Sequence, residues 1–320
     1  MFLNLEIIFH FCMMMGVIIA MGSNNWFSMW LGLEMTLMSF IPIMSNKNKL
    51  NSESCIKYFI IQSLSSSVMM MGVIMMSMKA NLELILMMSI MLKLGMSPFH
   101  TWMLSMIEGL NYYSIFILLT IMKIIPLTMI SYMNANLNLM IMISLIVGAI
   151  AGLNQNSIKK MICYSSILNM AFTISCINNN PTWMSYFMIY SASLFLFILI
   201  VKKLNFLFVN QFIFNNYNSS IKMTTWLSLL SMGGFPPLMG FYGKMMVLLY
   251  MYKSSNMLTL TLMIMTSLIT MFFYMRIIFL SMMFFNHLPS WMSQIQIKFN
   301  SFMLIASTLM PLVLFNLKSL

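Results

Sequence analysis

The chain has 320 residues, of which 61% are hydrophobic and only 7% are charged, and its formal net charge is +11. A soluble domain carries about 25% charged residues, so most of this protein's surface must face lipid rather than water. The positive charge does not indicate a nucleic-acid-binding protein, because the lysines are scattered between apolar runs and form no patch. The four cysteines lack metal-ligand spacing, and no polar stretch is long enough for a second domain.

Apolar runs of about 20 residues, the length that crosses a bilayer, recur along the whole chain. They predict an all-α membrane protein with about eleven transmembrane helices in a single domain, residues 1–320. The predicted spans are 3–22, 25–44, 56–78, 83–107, 112–133, 136–153, 161–177, 182–201, 223–252, 257–284 and 300–317. Lysines concentrate in the loops on the side of the N-terminus, which predicts that this side is the inner one and that the C-terminus lies outside.

Two of these spans are interrupted by glycine and proline. The fourth contains Gly95 and Pro98 in the run KLGMSPFH, and the ninth contains Pro236 and Pro237 in the run GGFPPLMGFYGK. Proline removes a backbone donor and clashes with the preceding turn, so both helices are expected to break there. Such breaks persist in membranes where the backbone is buried in protein or lines a wet cavity.

The two breaks lie five spans apart, which predicts an internal repeat. Spans one to five (residues 1–133) and six to ten (residues 136–284) each cross the membrane an odd number of times. The second five-helix unit is therefore predicted to be inverted relative to the first, with the helix at 300–317 added at the end. Broken helices at matching positions of inverted repeats mark ion paths in transporters. Ordinary kinks in two unrelated helices are the alternative.

Four charged residues lie near the middle of the membrane instead of at the ends of spans. They are Glu34 in span two, Lys93 beside the first break, Lys123 in span five and Lys244 after the second break. A central charge costs about 2.5–3.5 kcal/mol on insertion scales, so such residues are retained where they face an internal cavity and move ions or protons. Buried ion pairing that only fixes helix packing is the alternative, but one glutamate cannot pair with three lysines.

These residues are predicted to form a proton path. Because burial disfavours the charged form of an amine, a lysine at this depth can take and give a proton near neutral pH, and a nearby carboxylate opposes the loss. Making and breaking a Glu34–Lys93 pair is therefore a hypothesis for proton transfer. His100, just past the first break, either relays protons or caps the broken helix. The segment 163–167, CYSSI, either lines a water path or packs helices through small residues.

Sequence motifs for other chemistry are not visible. The chain shows no P-loop, no dinucleotide-binding fingerprint, no metalloprotease motif and no haem or iron–sulfur ligand set. We therefore expect no redox or hydrolytic chemistry, no cofactor and no metal in this chain. The energy for ion movement would come from a gradient or from partner subunits.

Three motifs, in order, resemble the antiporter-like membrane subunits of respiratory complex I. They are KLGMSPFH (93–100), NSIKKMICYSSI (156–167) and GFPPLMGF (234–241) with Lys244, and LGLE (31–34) precedes them. The resemblance covers nearly the whole chain. It implies a proton-translocating subunit of NADH:ubiquinone oxidoreductase, in which Glu34 pairs with Lys93, Lys123 is the middle relay and Lys244 is the terminal lysine.

The resemblance also implies a setting. The partners would be other membrane-arm subunits of complex I and lipids, with FMN, iron–sulfur clusters and ubiquinone held by other subunits. The location would be the mitochondrial inner membrane, with the N-terminus in the matrix and the C-terminus in the intermembrane space. Abundant methionine and a single arginine, Arg276, agree with synthesis in an organelle whose genome is rich in A and T.

The chain departs from the family pattern at two positions. Ser105 stands close to where the family often has a glutamate, and Glu108 is the candidate substitute. Asn169 stands where many relatives have a histidine, which puts a proton relay through that side chain in doubt. Two rival functions stay open: a subunit of a cation/proton antiporter complex, and a scaffold subunit that conducts no protons.

Overall fold

The computed structural model describes residues 2–45, 49–78, 83–133, 137–214, 219–236 and 238–283. Every helix or strand element assigned in these ranges is an α-helix. In chain order they are α1 (Phe2–Gly22), α2 (Trp26–Met44), α3 (Lys49–Ser77), α4 (Glu83–Leu94), α5 (Thr101–Ile107), α6 (Tyr112–Leu119), α7 (Ile121–Ser131), α8 (Asn138–Leu153), α9 (Ile158–Ser175), α10 (Asn180–Leu204), α11 (Gln211–Phe214), α12 (Ser219–Gly233), α13 (Met239–Lys253) and α14 (Met257–Met283). The predicted all-helical fold is confirmed for these ranges. The predicted span at 300–317 lies outside them, as does Pro237.

The helices have the composition of membrane spans. Within the described ranges, six helical segments are long and apolar enough to cross a membrane, one of them formed by α6 and α7 together: Leu5–Gly22, Trp26–Met44, Lys49–Met76, Tyr112–Ser131, Asn180–Leu204 and Met257–Met282. Phe11 and Ile18 of α1 are 64% and 60% exposed, while Ser89 and Thr128 are buried. Large apolar side chains outside and polar ones inside are typical of a protein surrounded by lipid. The chain is therefore a multi-pass membrane protein, while the total of eleven spans stays a prediction.

Two helices differ from their predicted limits for local reasons. Helix α3 begins at Lys49, before the predicted start at residue 56, and its polar first turns include an ion pair between Lys57 and Glu53 at i, i+4 spacing. Apolar length measures the part of a helix inside the bilayer and misses such polar extensions. Span five consists of α6 and α7, which meet at Thr120, where the side-chain hydroxyl donates to the Phe116 carbonyl at 2.7 Å.

The fourth and ninth predicted spans are each two helices in the structure. Helix α4 ends at Leu94 and α5 begins at Thr101, and α12 ends at Gly233 and α13 begins at Met239. Both first halves end on a glycine with positive φ, +66° at Gly95 and +81° at Gly234. Each glycine closes a Schellman motif, in which the two amides after the helix bond back to its last carbonyls.

The hydrogen bonds of these two motifs match. At the first break Gly95 donates to the Leu92 carbonyl at 3.1 Å, and Met96 to Met91 at 3.3 Å. At the second break Gly234 donates to Ser231 at 3.2 Å, and Phe235 to Leu230 at 3.0 Å. Proline alone does not end a helix in this protein, because Pro42 and Pro126 lie inside α2 and α7. The helices therefore end at the left-handed glycines, ahead of the prolines.

The chain divides into two compact units, Met1–Ser144 and Leu145–Leu320. In unit 1, α2 packs on α1, α3 and α7, and α4 packs on α3 and α7. Helices α1 and α2 touch through glycines, since a Cβ on Gly32 would lie 2.6 Å from the Gly16 carbonyl oxygen. In unit 2, α10 packs on α9, α12 and α13, and α14 packs on α12 and α13. The predicted inversion between the repeats stays a prediction.

Candidate functional site

Lys93 and Lys123 of unit 1 line one cavity. The cavity has about 20 Å³ open to the centre of a water molecule, which is room for one or two waters because a single water needs about 10–15 Å³. Tyr58 and Gln62 contribute polar groups to its lining. The two lysines are 8% and 3% exposed. The structure thus brings two of the predicted residues together at a place where water fits.

Interruptions in the helices place these two lysines. Lys93 lies in the last turn of α4, just before the left-handed glycine, and Lys123 lies in the first turn of α7, with its amide bonded to the Thr120 carbonyl at 3.1 Å. Trp102 of α5 also lines the cavity, and its indole N–H donates to the Leu92 carbonyl at the end of α4 at 3.1 Å. The tryptophan thereby ties the two halves of the broken helix together beside the cavity.

Glu34 lies next to this cavity on α2. Leu33 and Leu37 of the same helix line it, and the Glu34 carboxylate is within electrostatic range of Lys93 and of the Tyr58 hydroxyl. Among the described residues, Glu34 and Lys93 do not form a direct ion pair. Their charges therefore interact at longer range through space. The switching of a Glu34–Lys93 pair stays a prediction.

His100 is the N-cap residue of α5. Its carbonyl accepts from the Met103 amide at 3.2 Å, whereas its side chain makes no capping hydrogen bond to α5 and is not part of the cavity lining. Pro98, two residues before it, is exposed, whereas Ser97 is buried. Ser105 donates to the Trp102 carbonyl at 2.9 Å, and Glu108 is the exposed C-cap of α5.

Lys244 of unit 2 is held by the end of the other broken helix. It is 6% exposed, and its ammonium donates to the Gly233 carbonyl at 2.7 Å and to the Thr270 hydroxyl at 3.4 Å. Gly233 is the last residue of α12, where helix carbonyls lack intrahelical donors and carry the negative end of the helix dipole. A Cβ on Gly234 would lie 2.9 Å from the Lys244 Cδ. The second break, on which Pro236 is exposed, therefore forms a close-fitting binding site for the Lys244 ammonium group. We call this site the seat of Lys244.

Sequence reasoning missed the polar partners of these lysines. Gln62, in the run IIQSL of span three, is buried beside the cavity, and a polar amide in an apolar span is a signal that points to it. Thr270 carries no such signal, because serine and threonine are common in membrane helices and mostly bond to their own backbone. The Thr270 hydroxyl donates to the Ser267 carbonyl of its own helix at 2.8 Å and also accepts from Lys244.

Comparisons with known proteins show the family of this chain. The family model described as NADH:quinone oxidoreductase/Mrp antiporter, TM matches residues 23–84 and 77–270. NADH-ubiquinone oxidoreductase chain 2 of Anopheles gambiae is 36% identical over 302 residues, which cover 89% of this chain and 88% of that protein. The chain belongs to the NADH-ubiquinone oxidoreductase chain 2 family. The resemblance that its motifs indicate is thereby confirmed.

Solved structures support the fold of this chain 2 family member. A chain of respiratory complex I from Thermus thermophilus with bound aureothin matches with a TM-score of 0.84 and 18% identity, covering 99% of this chain and 79% of that chain. A chain of the Mrp complex from Dietzia sp. DQ12-45-1b matches with a TM-score of 0.73 and 13% identity, covering 83% and 58%. At these identities the likeness shows the antiporter-like membrane fold, and the repeat layout stays a prediction.

Proposed function

We propose that this chain 2 family member is a proton-translocating membrane-arm subunit of NADH:ubiquinone oxidoreductase, and that Glu34, Lys93, Lys123 and Lys244 carry its protons. The observation that carries the proposal is the cavity that Lys93 and Lys123 share, which has room for water. Two titratable amines around one space that admits water are the arrangement that proton exchange between side chains requires.

Proton transfer in unit 1 runs between amines through water. A cavity water accepts a proton from Lys93 on its oxygen and gives one of its own to Lys123, so atoms and charge balance. Each amine has N–H donors, and the neutral form has one acceptor, so the same water serves both directions. Glu34 attracts positive charge to Lys93 from outside the cavity, and a change in that field shifts the proton toward Lys123.

The remaining residues complete the proposal. Lys244 serves as the proton site of unit 2, seated on the end of α12. His100 stays in the path as a neighbour of the first break, although it does not line the cavity. The chain would work in the mitochondrial inner membrane, with its N-terminus in the matrix and its C-terminus in the intermembrane space, among lipids and other membrane-arm subunits. Other subunits would hold FMN, iron–sulfur clusters and ubiquinone.

The proposal is tested by Lys93→Met and Lys123→Met in the assembled enzyme, with Lys253→Met as the control because Lys253 is exposed at the end of α13. Methionine keeps the length of the side chain and removes its proton site. NADH-driven proton uptake into sealed vesicles is expected to fall about tenfold or more, the scale of a lost acid–base group. NADH oxidation by ferricyanide, which bypasses the membrane arm, is expected to stay unchanged in all three variants.

Two outcomes would favour the rival functions. An unchanged ratio of protons to electrons in both cavity variants would support a scaffold that conducts no protons. The antiporter rival stays open because the matching family model is described as NADH:quinone oxidoreductase/Mrp antiporter, TM. Sodium or potassium flux through reconstituted vesicles without NADH, abolished by Lys244→Met, would establish it.

A further inference from the structure

Four lysines lie at one membrane surface of unit 2, in the first turn of α9 and the last turn of α10. They are Lys159, Lys160, Lys202 and Lys203, of which the first two are partly exposed and the last two exposed. The connection between these helices, residues 176–179, is short, so the start of α9 lies on the same side as the end of α10. Helix α10 is long and apolar enough to cross the membrane, which places this side at the membrane surface.

Backbone hydrogen bonds join the loop after α10 to the start of α9. The Ile158 amide donates to the Leu207 carbonyl at 3.1 Å. The Val209 amide donates to the Asn156 carbonyl at 3.0 Å, which completes a short antiparallel bridge between the two segments. The two pairs of lysines therefore belong to neighbouring segments that are bonded to each other.

This loop presents two large apolar side chains at the surface. Leu207 and Phe208 are 47% and 54% exposed, while Phe206 and Val209 on either side of them are buried. The amides of the exposed pair both donate to the Gln211 side-chain oxygen, at 2.6 Å and 3.2 Å. The loop is thus held by its own hydrogen bonds, and the exposure of the pair is part of the fold. We call the four lysines together with Leu207 and Phe208 the basic rim.

The charge of unit 2 favours an anionic ligand at the basic rim. Residues 145–320 contain neither aspartate nor glutamate, so the unit has no carboxylate of its own to neutralise these lysines. Lys159 and Lys160 also lie at the positive end of the α9 dipole, where a cation is unfavourable and an anion is stabilised. An ammonium has three N–H donors and can bind a phosphate oxygen beside any contact within the chain.

Membrane topology accounts for the lysines but not for the apolar pair. Lysines at the ends of spans are the ordinary signal that sets orientation. Exposed Leu207 and Phe208 at a membrane surface are typical of residues that insert among acyl chains. A phospholipid with an anionic headgroup offers both partners, phosphate for the lysines and an acyl chain for the apolar pair. An acidic segment of a partner protein offers only the charge.

We propose that the basic rim binds an anionic phospholipid of the adjacent leaflet, with its phosphate on the lysines and its acyl chain against Leu207 and Phe208. Clusters of about four to eight basic residues beside a membrane-spanning helix are typical of sites that recognise anionic lipids. This binding site goes beyond proton translocation and does not depend on it, because none of its residues lies in the proposed proton path.

The test uses the assembled enzyme in phosphatidylcholine vesicles with a phosphatidylglycerol probe that carries a photoreactive diazirine on its acyl chain. A phosphatidylcholine probe with the same acyl chain is the reference, and mass spectrometry measures the labelling of the loop between α10 and α11. The ratio of the two labelling yields gives the preference for an anionic headgroup. We expect this preference to fall about fivefold for each lysine removed in Lys159→Gln with Lys160→Gln. Lys253→Gln, an exposed lysine at the end of α13, should leave it unchanged.

Two further measurements keep the result independent of one variant. Lys202→Gln with Lys203→Gln is expected to lower the preference by the same factor if the first pair does not assemble. Raising the salt concentration should lower the preference of the unmodified enzyme, because exposed charges are screened. Equal labelling by the two probes in the unmodified enzyme, or a preference that neither lysine pair changes, would overturn the headgroup site.

The contact with the acyl chain has its own test. Leu207→Ser with Phe208→Ser is expected to reduce labelling of the loop by both probes, because the loop loses its apolar contact with the chain. Met257→Ser with Leu258→Ser is the matched control, since these residues are 54% and 63% exposed at the start of α14. Unchanged labelling in the loop variant would overturn the acyl contact. A density map that shows carboxylates of a partner subunit on the rim lysines would overturn the lipid as the ligand.

Discussion

Substituting Gly234 by alanine is expected to dislodge Lys244 from its seat on α12. Gly234 has φ +81°, where a residue with a Cβ costs about 1–2 kcal/mol. The new Cβ would lie 2.9 Å from the Lys244 Cδ and 3.0 Å from its Nζ, so the lysine side chain must move. Moving it breaks the 2.7 Å bond to the Gly233 carbonyl, and a hydrogen bond to a charged group contributes about 1.5–3 kcal/mol.

The total destabilisation of Gly234→Ala is therefore about 2.5–5 kcal/mol. Thermal inactivation of the assembled enzyme and NADH-driven proton uptake measure the two effects, and both should worsen together. Gly22→Ala is the matched control, because a Cβ on Gly22 would meet nothing within 4 Å. A Gly234→Ala enzyme that inactivates and pumps like the unmodified one would refute the reasoning about this seat.

Two further substitutions test the broken helices. Gly240→Ala is expected to prevent assembly, because the new Cβ would lie 1.8 Å from the Ser231 carbonyl oxygen. A native gel shows whether the complex still forms. Normal assembly would contradict the close packing of α12 on α13. Trp102→Phe removes the indole N–H that bonds to the end of α4 at 3.1 Å and is expected to cost about 0.5–1.5 kcal/mol, measured as faster thermal inactivation.

Much of the fold could be predicted from the sequence because a bilayer imposes a length on each apolar run. Both limits of α2, the end of α1 at Gly22 and the start of α14 at Met257 lie within one residue of the predicted spans. The polar start of α3 and the interruption at Thr120 could not be predicted this way, since one rests on an ion pair and the other on a side-chain bond to the backbone. Neither changes the hydropathy of the chain.

The site could be predicted as a set of residues but not as a geometry. Insertion cost singles out Lys93, Lys123 and Lys244 one by one, because each charge is expensive at its own depth. That Lys93 and Lys123 share a cavity depends on how α4 packs on α7, and spacing along the chain does not contain that information. The seat of Lys244 likewise depends on a carbonyl, and every residue of the chain has one.

The small size of the unit 1 cavity bears on how the membrane keeps its voltage. The hydrocarbon layer is about 30 Å thick, and one or two waters, each about 2.8 Å from the next, span only a small part of it. Leu118 and Met122 are apolar residues of the cavity lining. A continuous water column would dissipate the proton gradient, whereas a space for one or two waters between two amines restricts proton transfer to single short steps.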